Sequence, residues 1–424
     1  MQGPNFLRLR QSLFQTYWRS GKVYKKADII SGDVVNTWLC RCERTRRRQK
    51  LRLCVYIFLI CRLYQRSFIM YPYRQLFDFT QEVFLHIGCP ADDARLAAEV
   101  LLSADLRGVD SHGVARLSGY VRLWEAGRIN PKPNIRVVHE TPSTATVDGD
   151  GGLGLVVAPR AMAIAKQKAE QVGSGWVSVK NSNHFGIAGY HAMMALEDDM
   201  IGIAMTNASP LVAPTFSTDR MLGTNPIAVA VPAKHQPPFV ADLATAAAAN
   251  GKLEILQRKE KKAPSGWIQT KEGHNSTNPN ELKDGGALLP LGSDRDHGSH
   301  KGYALASVVD ILSAVLSGAN YGPWVPPFVA FLPVADNLPG EGIGHFLGAM
   351  RVDAFRPAEE FKQHMDNWIG TFRRANAVSG ERAVLIPGDP EREMEEVRLI
   401  QGIPLLPPVE RDLEALAQRF DIKL

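Results

Sequence analysis

The sequence predicts an α/β fold built on a mixed sheet. Apolar residues at helical spacing dominate 73–126. From Thr144 onward, short β-rich runs alternate with helical ones. The later runs are joined by loops rather than full crossover helices, which argues against a purely parallel sheet.

Leu76, Phe79, Val83, Phe84 and Ile87 mark a helix over 73–87, with Gly88 suited to its C′ position. Asp92 and Asp93 favour the start of a second helix over 91–106, and Ala94, Ala97, Leu101 and Ala104 line one face. Gly108 breaks it. A third helix is expected over 111–126, with Val114, Leu117, Val121 and Trp124 inward and Gly127 and Pro131 ending it. A strand at 145–147, a Gly-rich turn and a helix over 156–171 follow. Strand-like runs then occupy 176–180, 201–205, 227–231 and 239–241, with helical 188–196 between the first two. Residues 257–300 read as long surface loops. A strong helix is expected over 302–316, with Leu305, Val308, Val309, Leu312, Val315 and Leu316 inward. A strand is expected at 327–335, then helices at 357–374 and 408–419 flanking a loop with Pro387-Gly388-Asp389-Pro390.

A chain of 424 residues can bury a large core. Its net charge of +5 is uneven: residues 1–69 hold 15 Lys+Arg against 3 Asp+Glu, and the remainder 34 against 41. The body is therefore mildly acidic, which removes support for nucleic-acid binding. Four of the five cysteines also lie in the head, at Cys40, Cys42, Cys54 and Cys61; the body carries only Cys89 and suits a reducing compartment, the cytoplasm. The head's cysteine spacing is not that of a zinc site, no metal is expected, and its longest apolar run is too short for a membrane span. Three readings of residues 1–69 stand: an organellar targeting segment, a basic membrane-surface or partner-binding tail, or an unstructured extension from a wrong gene start, with Met70 as a natural beginning.

Chemistry concentrates first in 105–116, Asp-Leu-Arg-Gly-Val-Asp-Ser-His-Gly-Val-Ala-Arg. At the start of a helix, His112 would be kept neutral by the partial positive charge there, with Asp110 opposing. A neutral imidazole accepts a proton from an alcohol and its charged form returns one. Arg116, one turn on, suits a bidentate carboxylate contact. The plain alternative is a Ser111 N-cap with solvated neighbours. Asn181-Ser182-Asn183-His184-Phe185-Gly186 follows a strand, where α/β sites form; a turn of Asx and Ser hydrogen bonds fits equally. Gly149-Asp150-Gly151-Gly152-Leu153-Gly154 matches G-x-G-x-x-G, yet the next strand ends without the acid a dinucleotide fingerprint needs. Asp242 at a strand end fits either orientation of a histidine or ribose binding, or an N-cap. Thr206-Asn207 and Gly223-Thr224-Asn225-Pro226 are polar turns with N–H groups suited to phosphate or an amide. Lys301, at a helix start, suits a cofactor phosphate.

Together these stretches resemble the malate/L-lactate dehydrogenase family, which lacks a Rossmann fold and also includes ureidoglycolate dehydrogenase, diketogulonate reductase and a cyclic-imine reductase. The matching residues are Arg107-Gly108-Val109-Asp110-Ser111-His112-Gly113-Val114, 181–186, Thr206-Asn207, 222–226, Asp242-Leu243-Ala244-Thr245, Gly266-Trp267, Leu288-Leu289-Pro290, His300-Lys301-Gly302-Tyr303 and Gly402-Ile403-Pro404-Leu405, in the family's order. The resemblance covers about 73–424.

It implies NAD or NADP as cofactor and hydride transfer to or from a small 2-hydroxy/2-oxo acid. It also implies a homodimer and a discontinuous helical domain, 70–143 plus 335–424, for substrate and dimerisation, beside an α/β cofactor domain at 144–334. His112 is the implied acid/base, relayed in some members through Ser111 and Asp242; other members use the histidine matching His184. Arg116, Thr224 and Asn225 are the implied substrate contacts. Pro238, Phe239, Val240, Ala241, Leu243, Ala244, His300, Lys301, Gly388, Asp389 and Pro390 are the implied cofactor contacts. Ala208 and Ala246 depart from hydroxyl residues common in the family, Pro214-Thr215-Phe216-Ser217 replaces a Gly-rich turn, and the loop at 293–299 is slightly long. The rivals are a relative acting on ureidoglycolate, a sugar-derived oxo acid or a cyclic imine, and an inactive paralogue that binds cofactor.

Overall fold

The structure, a computed structural model, describes residues 69–258, 260–328, 334–381 and 383–424. The readings of the head therefore lie outside the described residues, as does most of the strand expected at 327–335. Residues 69–424 form one compact unit.

Strand β1 (Ile69–Tyr71) leads into helices α1 (Tyr73–His86) and α2 (Ala91–Leu106). Both match their apolar spacing: Leu76, Phe79, Val83 and Phe84 of α1 and Ala94, Ala97 and Leu101 of α2 are buried. A single 3₁₀ turn, Val114–Arg116, precedes α3 (Leu117–Glu125), so the third helix starts later than expected and His112 stands in the turn before it. Strands β2 (Arg136–Glu140) and β3 (Thr144–Asp148) precede α4 (Gly154–Val172), β4 (Ser174–Ser182), α5 (Ala188–Met193), β5 (Met200–Thr206), β6 (Ile227–Val231) and β7 (Phe239–Leu243). Most of 257–300 is loop and turn, as expected; it is entered by the end of helix α6 (Asn250–Arg258) and carries a small sheet of β8 (Ile268–Gln269), β9 (Asn275–Ser276) and β10 (Ala287–Leu288). These strands are two residues long, too short for a periodic signal. Next come α7 (Ser299–Asp310) with a π-helical turn, Ile311–Val315, then β11 (Ile343–Arg351), α8 (Ala358–Arg373), α9 (Asp389–Gln401), β12 (Ile403–Leu405) and α10 (Pro407–Phe420).

The main sheet has the order β2-β3-β4-β11-β5-β6-β7. Only β3 and β4 pair in parallel; the other neighbours are antiparallel. The sheet is mixed, as expected, and is not a doubly wound one. Its core joins Val147, Val157, Met162, Val177, Val179 and Leu347. A second, helical core gathers α1, α2, α3 and α10 around Phe79, Phe84, Leu101 and Tyr120.

Three further differences from the sequence reading bear on the site. β11, inside the segment assigned to the helical domain, lies at the centre of the sheet between β4 and β5. α9 replaces the loop expected around Asp389 and Pro390, because Pro390 occupies the first turn, where its missing N–H costs nothing. On α7, Val309 is buried, but Leu305, Val308, Val315 and Leu316 face outward.

Candidate active site

The turn carrying His112 is built from beneath. The buried Asp105 carboxyl accepts the Val114 N–H at 2.7 Å. A Cβ on Gly113 would stand 2.1 Å from that carboxyl, so glycine is required there. Asp110, expected to act on His112, turns instead to Arg398, whose Nη2 donates to it at 3.3 Å. The helix-start argument for a neutral His112 also lapses, since the residue lies ahead of the helix. Enclosure does that work: burial, with the Arg116 guanidinium second, holds His112 down to about 4.

Arg116 folds back, and its Nε donates to the Ser111 carbonyl at 2.6 Å. Among the described residues its two Nη atoms have neither a carboxylate nor a hydrogen-bond partner. Ser111 Oγ lies 2.9 Å from His112 Nδ1.

His184 arrives from the loop after β4 and stacks on His112, ring centroids 5.6 Å apart at 21°. The hydroxyl of Tyr120 lies 2.6 Å from His184 Nδ1. Phe328 packs 4.6 Å from the His184 ring. Burial, then the His112 and Arg116 charges, hold His184 well below the usual histidine range. Neither ring's Nε2 has a protein partner among the described residues.

The Gly-rich 149–154 turn is not a phosphate loop. Gly149 N–H donates to Lys180 O at 2.9 Å and Gly151 N–H to Asn181 O at 2.8 Å. A Cβ on Gly154 would lie 2.1 Å from Asn183 O. These glycines let the start of α4 approach the His184 segment, and the space a phosphate needs is filled by backbone.

Asp242, at the end of β7, accepts the Gly189 N–H at 2.7 Å. It is open to solvent on one side yet crowded by neighbouring chain, and that crowding raises its carboxyl to about 6. No hydrogen bond joins Asp242 to Ser111, so the expected relay is not formed. Asn225 does not face a ligand either. It is fully buried, accepts the Ala208 N–H at 3.2 Å and donates to Ala306 O at 3.0 Å. Thr224 presents its carbonyl to the Thr245 N–H at 2.9 Å. Thr206-Asn207 is likewise structural: Asn207 Nδ2 donates to the buried Asp310 at 3.0 Å, and its Oδ1 accepts the Gly344 N–H at 3.0 Å. Ala246 is packed with Val212, Leu222 and Leu253, so its missing hydroxyl removes nothing from a cleft.

The residues expected around a cofactor are connected through β7, one of the two edge strands of the main sheet. Val240 N–H donates to Pro387 O at 3.0 Å, and a Cβ on Gly388 would lie 3.1 Å from Val240 Cβ. Asp389 is held by Arg373 and Arg392, whose Nη2 atoms each donate at 2.8 Å. Beyond β7, Thr245 O accepts the Leu291 N–H at 2.9 Å, and Leu291 lies against Gly302 in the first turn of α7. His300 and the exposed Lys301 stand in that same turn. The chain then reaches Gly251 in α6, where a Cβ would meet Ser111 Cβ at 2.6 Å. Helix α6, which follows β7 in the chain, thus reaches the Arg116 stretch at Gly251.

Tyr120, Gly251 and Phe328 are site residues that sequence reasoning does not single out. Tyr120 follows Arg116 by one helical turn, and that spacing was the available signal. Gly251 and Phe328 are brought in by tertiary contacts alone. A cavity of about 400 Å³ lined by Glu170, Asp199, Arg351 and Asp353 lies at the other end of β4. Its Arg351 and Asp353 pair with each other at 2.7 Å, and its lining is otherwise acidic.

Residues 71–414 match the family described as malate/L-lactate dehydrogenase. The malate dehydrogenase of Pyrococcus horikoshii is 43% identical over 358 residues, which span 84% of this chain and 97% of that protein. The L-sulfolactate dehydrogenase of Methanocaldococcus jannaschii is 39% identical over 312 residues, covering 73% and 86% respectively. Among solved structures, malate dehydrogenase from Pyrococcus horikoshii superposes with a TM-score of 0.76 at 41% identity, covering 84% of this chain and 97% of its own. With a non-Rossmann mixed sheet, a stacked pair of histidines and a family match over nearly all of the body, the chain belongs to the malate/L-lactate dehydrogenase family of oxidoreductases.

Proposed function

We propose that the protein interconverts a small 2-hydroxy acid and its 2-oxo acid, malate- or lactate-like, with NAD or NADP. The observation that carries this reading is Arg116. Its Nε is anchored on Ser111 O, its Nη atoms have no protein acceptor among the described residues, and it lies beside two histidines held neutral. A planar guanidinium in that state suits a bidentate substrate carboxylate. The relatives named for malate and sulfolactate, 43% and 39% identical against 30% for the one named for ureidoglycolate, support that choice.

The residues present fit a nicotinamide dinucleotide. The first turn of α7 has no acid, and it carries His300 and Lys301, so its N–H groups suit a diphosphate. In the first turn of α9, Arg373 and Arg392 already hold Asp389, so Glu391 is the carboxylate left to accept a ribose hydroxyl. The dinucleotide, when bound, supplies the acceptor for the C2 hydrogen and its bonding electron pair. Arg116 fixes the carboxylate, and His112 takes the hydroxyl proton at Nε2 while Ser111 supports Nδ1. The division into a helix-rich substrate part, 70–143 with 335–424, and a cofactor part, 144–334, belongs to this reading, with β11 counted in the sheet.

A homodimer in the cytoplasm completes the proposal. It draws support from the outward face of α7 and its π turn, where Ile311 is 53% and Leu316 59% exposed, an unusual cost for a lone surface. Among the described residues no helix is long and apolar enough to cross a membrane. The test is a panel of malate, lactate, sulfolactate and ureidoglycolate, each assayed with NAD and NADP. Turnover confined to ureidoglycolate, or none with any acid, would overturn the reading.

A further inference from the structure

Two histidines face each other in the cleft, and their partners differ in kind. His184 Nδ1 lies 3.3 Å from the Gly186 backbone N–H. An amide N–H only donates, so that nitrogen carries no proton. The Tyr120 hydroxyl, 2.6 Å away, therefore donates to the same atom. His112 has only the Ser111 hydroxyl at Nδ1, and a hydroxyl donates or accepts as it rotates.

We propose that Tyr120 and Gly186 pin His184 as its Nε2–H tautomer, making it a fixed hydrogen-bond donor to the substrate's C2 oxygen, so that His112 alone exchanges the proton. Tyr120 is a positioning residue, and this division of labour rests on the proposed reading that both rings face C2. A neutral imidazole with Nε2–H polarises a carbonyl without changing its own charge. His184 meets the further requirement of staying neutral, because enclosure, with His112 and the Arg116 guanidinium close by, disfavours the imidazolium. The Tyr120 ring is itself locked, and its hydroxyl lies nearer to His184 Nδ1, at 2.6 Å, than to the His184 carbonyl, at 3.4 Å. The Tyr120 ring is fully buried, edge-on to Phe328 at 4.9 Å and to Phe84 at 6.2 Å. His112 keeps the freedom an acid/base needs: Ser111 accepts from Nδ1–H when Nε2 is bare, and follows the ring through protonation.

The direct test is ¹⁵N-histidine NMR of the full chain, with the His184 signals assigned by their loss in His184→Gln. The expected spectrum shows a bare Nδ1 and a protonated Nε2, unchanged from pH 6 to 8. A protonated Nδ1, or titration in that range, overturns the proposal. Kinetics supply the second arm. His184→Gln keeps a donor near the Nε2 position and should retain the acid-side limb of the oxidation profile, whereas His112→Gln should abolish it. Tyr120→Phe should lower kcat about fivefold and leave that limb in place, the effect of one neutral hydrogen bond. Loss of the limb in His184→Gln but not in His112→Gln also overturns the proposal. Full turnover in both histidine variants would instead discard the reading of the cleft, and the NMR result would still stand on its own.

Discussion

The Gly189 amide donates to the Asp242 carboxylate at 2.7 Å, and a Cβ on Gly189 would come within 2.8 Å of the same oxygen. The first residues of α5 thereby hold the end of β7 in place. Gly189→Ala should push that strand end outward and lower kcat/KM for the nicotinamide cofactor, by up to about 100-fold if the shift reaches about 1 Å, mainly through a higher cofactor KM. KM for the acid should change little. Steady-state kinetics with each substrate varied in turn will separate the two, and an unchanged cofactor KM would remove β7 from the cofactor site.

Arg116→Lys keeps the charge and removes the fork. The loss of one charge-assisted bond, about 2 kcal/mol, should raise KM for the acid by about 30-fold with a smaller change in kcat. A matched uncharged alcohol substrate should show no such difference.

His112 must be neutral to accept a proton, and its enclosure holds it down to about 4. In the oxidation direction kcat/KM should therefore stay flat down to about pH 5 and fall as pH drops through about 4. A carboxylate bound to Arg116 offsets one of the two causes that depress His112, so the limb in kcat should move upward from its position in kcat/KM. A limb near 6.5 in both would show that the cleft does not depress the ring.

Buried histidines set a stability limit on the acid side. His191 and His345 are fully buried and held down to about 4 and about 3. Unfolding lets each take a proton below its ordinary value, so stability is full above about 6.5 and declines as pH falls toward those values. Urea unfolding should give a lower midpoint at pH 4.5 than at pH 7. His345→Gln should flatten the difference, if its contacts with Thr206 and Ser182, each at 2.7 Å, are kept.

Asp105 works in the opposite sense. Burial raises its carboxyl to about 8, so the folded state keeps a proton that the unfolded chain loses above about 4. Its contribution is greatest below about pH 4 and is lost as pH rises to about 8. Asp105→Asn preserves an acceptor for the Val114 N–H and should stabilise the protein by on the order of 1–3 kcal/mol at pH 8, with little effect at pH 4. Thermal melts at the two pH values decide it.

The proposed dimer face is tested by charge. Ile311→Glu, on the exposed side of the π turn, should halve the mass measured by light scattering and leave the circular dichroism unchanged. An unchanged mass places the interface elsewhere.

Local signals were legible where they coincide with local causes. The apolar faces of α1 and α2 and the extent of β6 follow from spacing, since each element buries one side against a neighbour. His112, Arg116 and His184 stand out because their stretches concentrate polar groups next to predicted breaks. β11 escapes detection because it is buried on both faces and interrupted by glycines. A Cβ on Gly344 would lie 2.1 Å from Ser313 O, and one on Gly348 would lie 2.4 Å from the Trp176 ring. Tight packing on both sides demands small residues, which leaves no alternation to read. The outward face of α7 was misread for a different reason: an apolar stripe does not say whether it meets the same chain or another. The tautomer of His184 depends on Tyr120, 64 residues away, and no short-range pattern encodes that.

The central place of β11 has a consequence during synthesis. β4 and β5 leave the ribosome long before the strand that separates them, at about 5–20 residues per second. For roughly ten seconds or more, both present open edges that can pair with each other or with a neighbouring nascent chain. The sheet closes only when residues 343–351 insert between them. A chain cut short before that point would strand two ready-made templates for aggregation, so a quality-control system should meet truncated products of this protein as insoluble matter rather than as partly active enzyme.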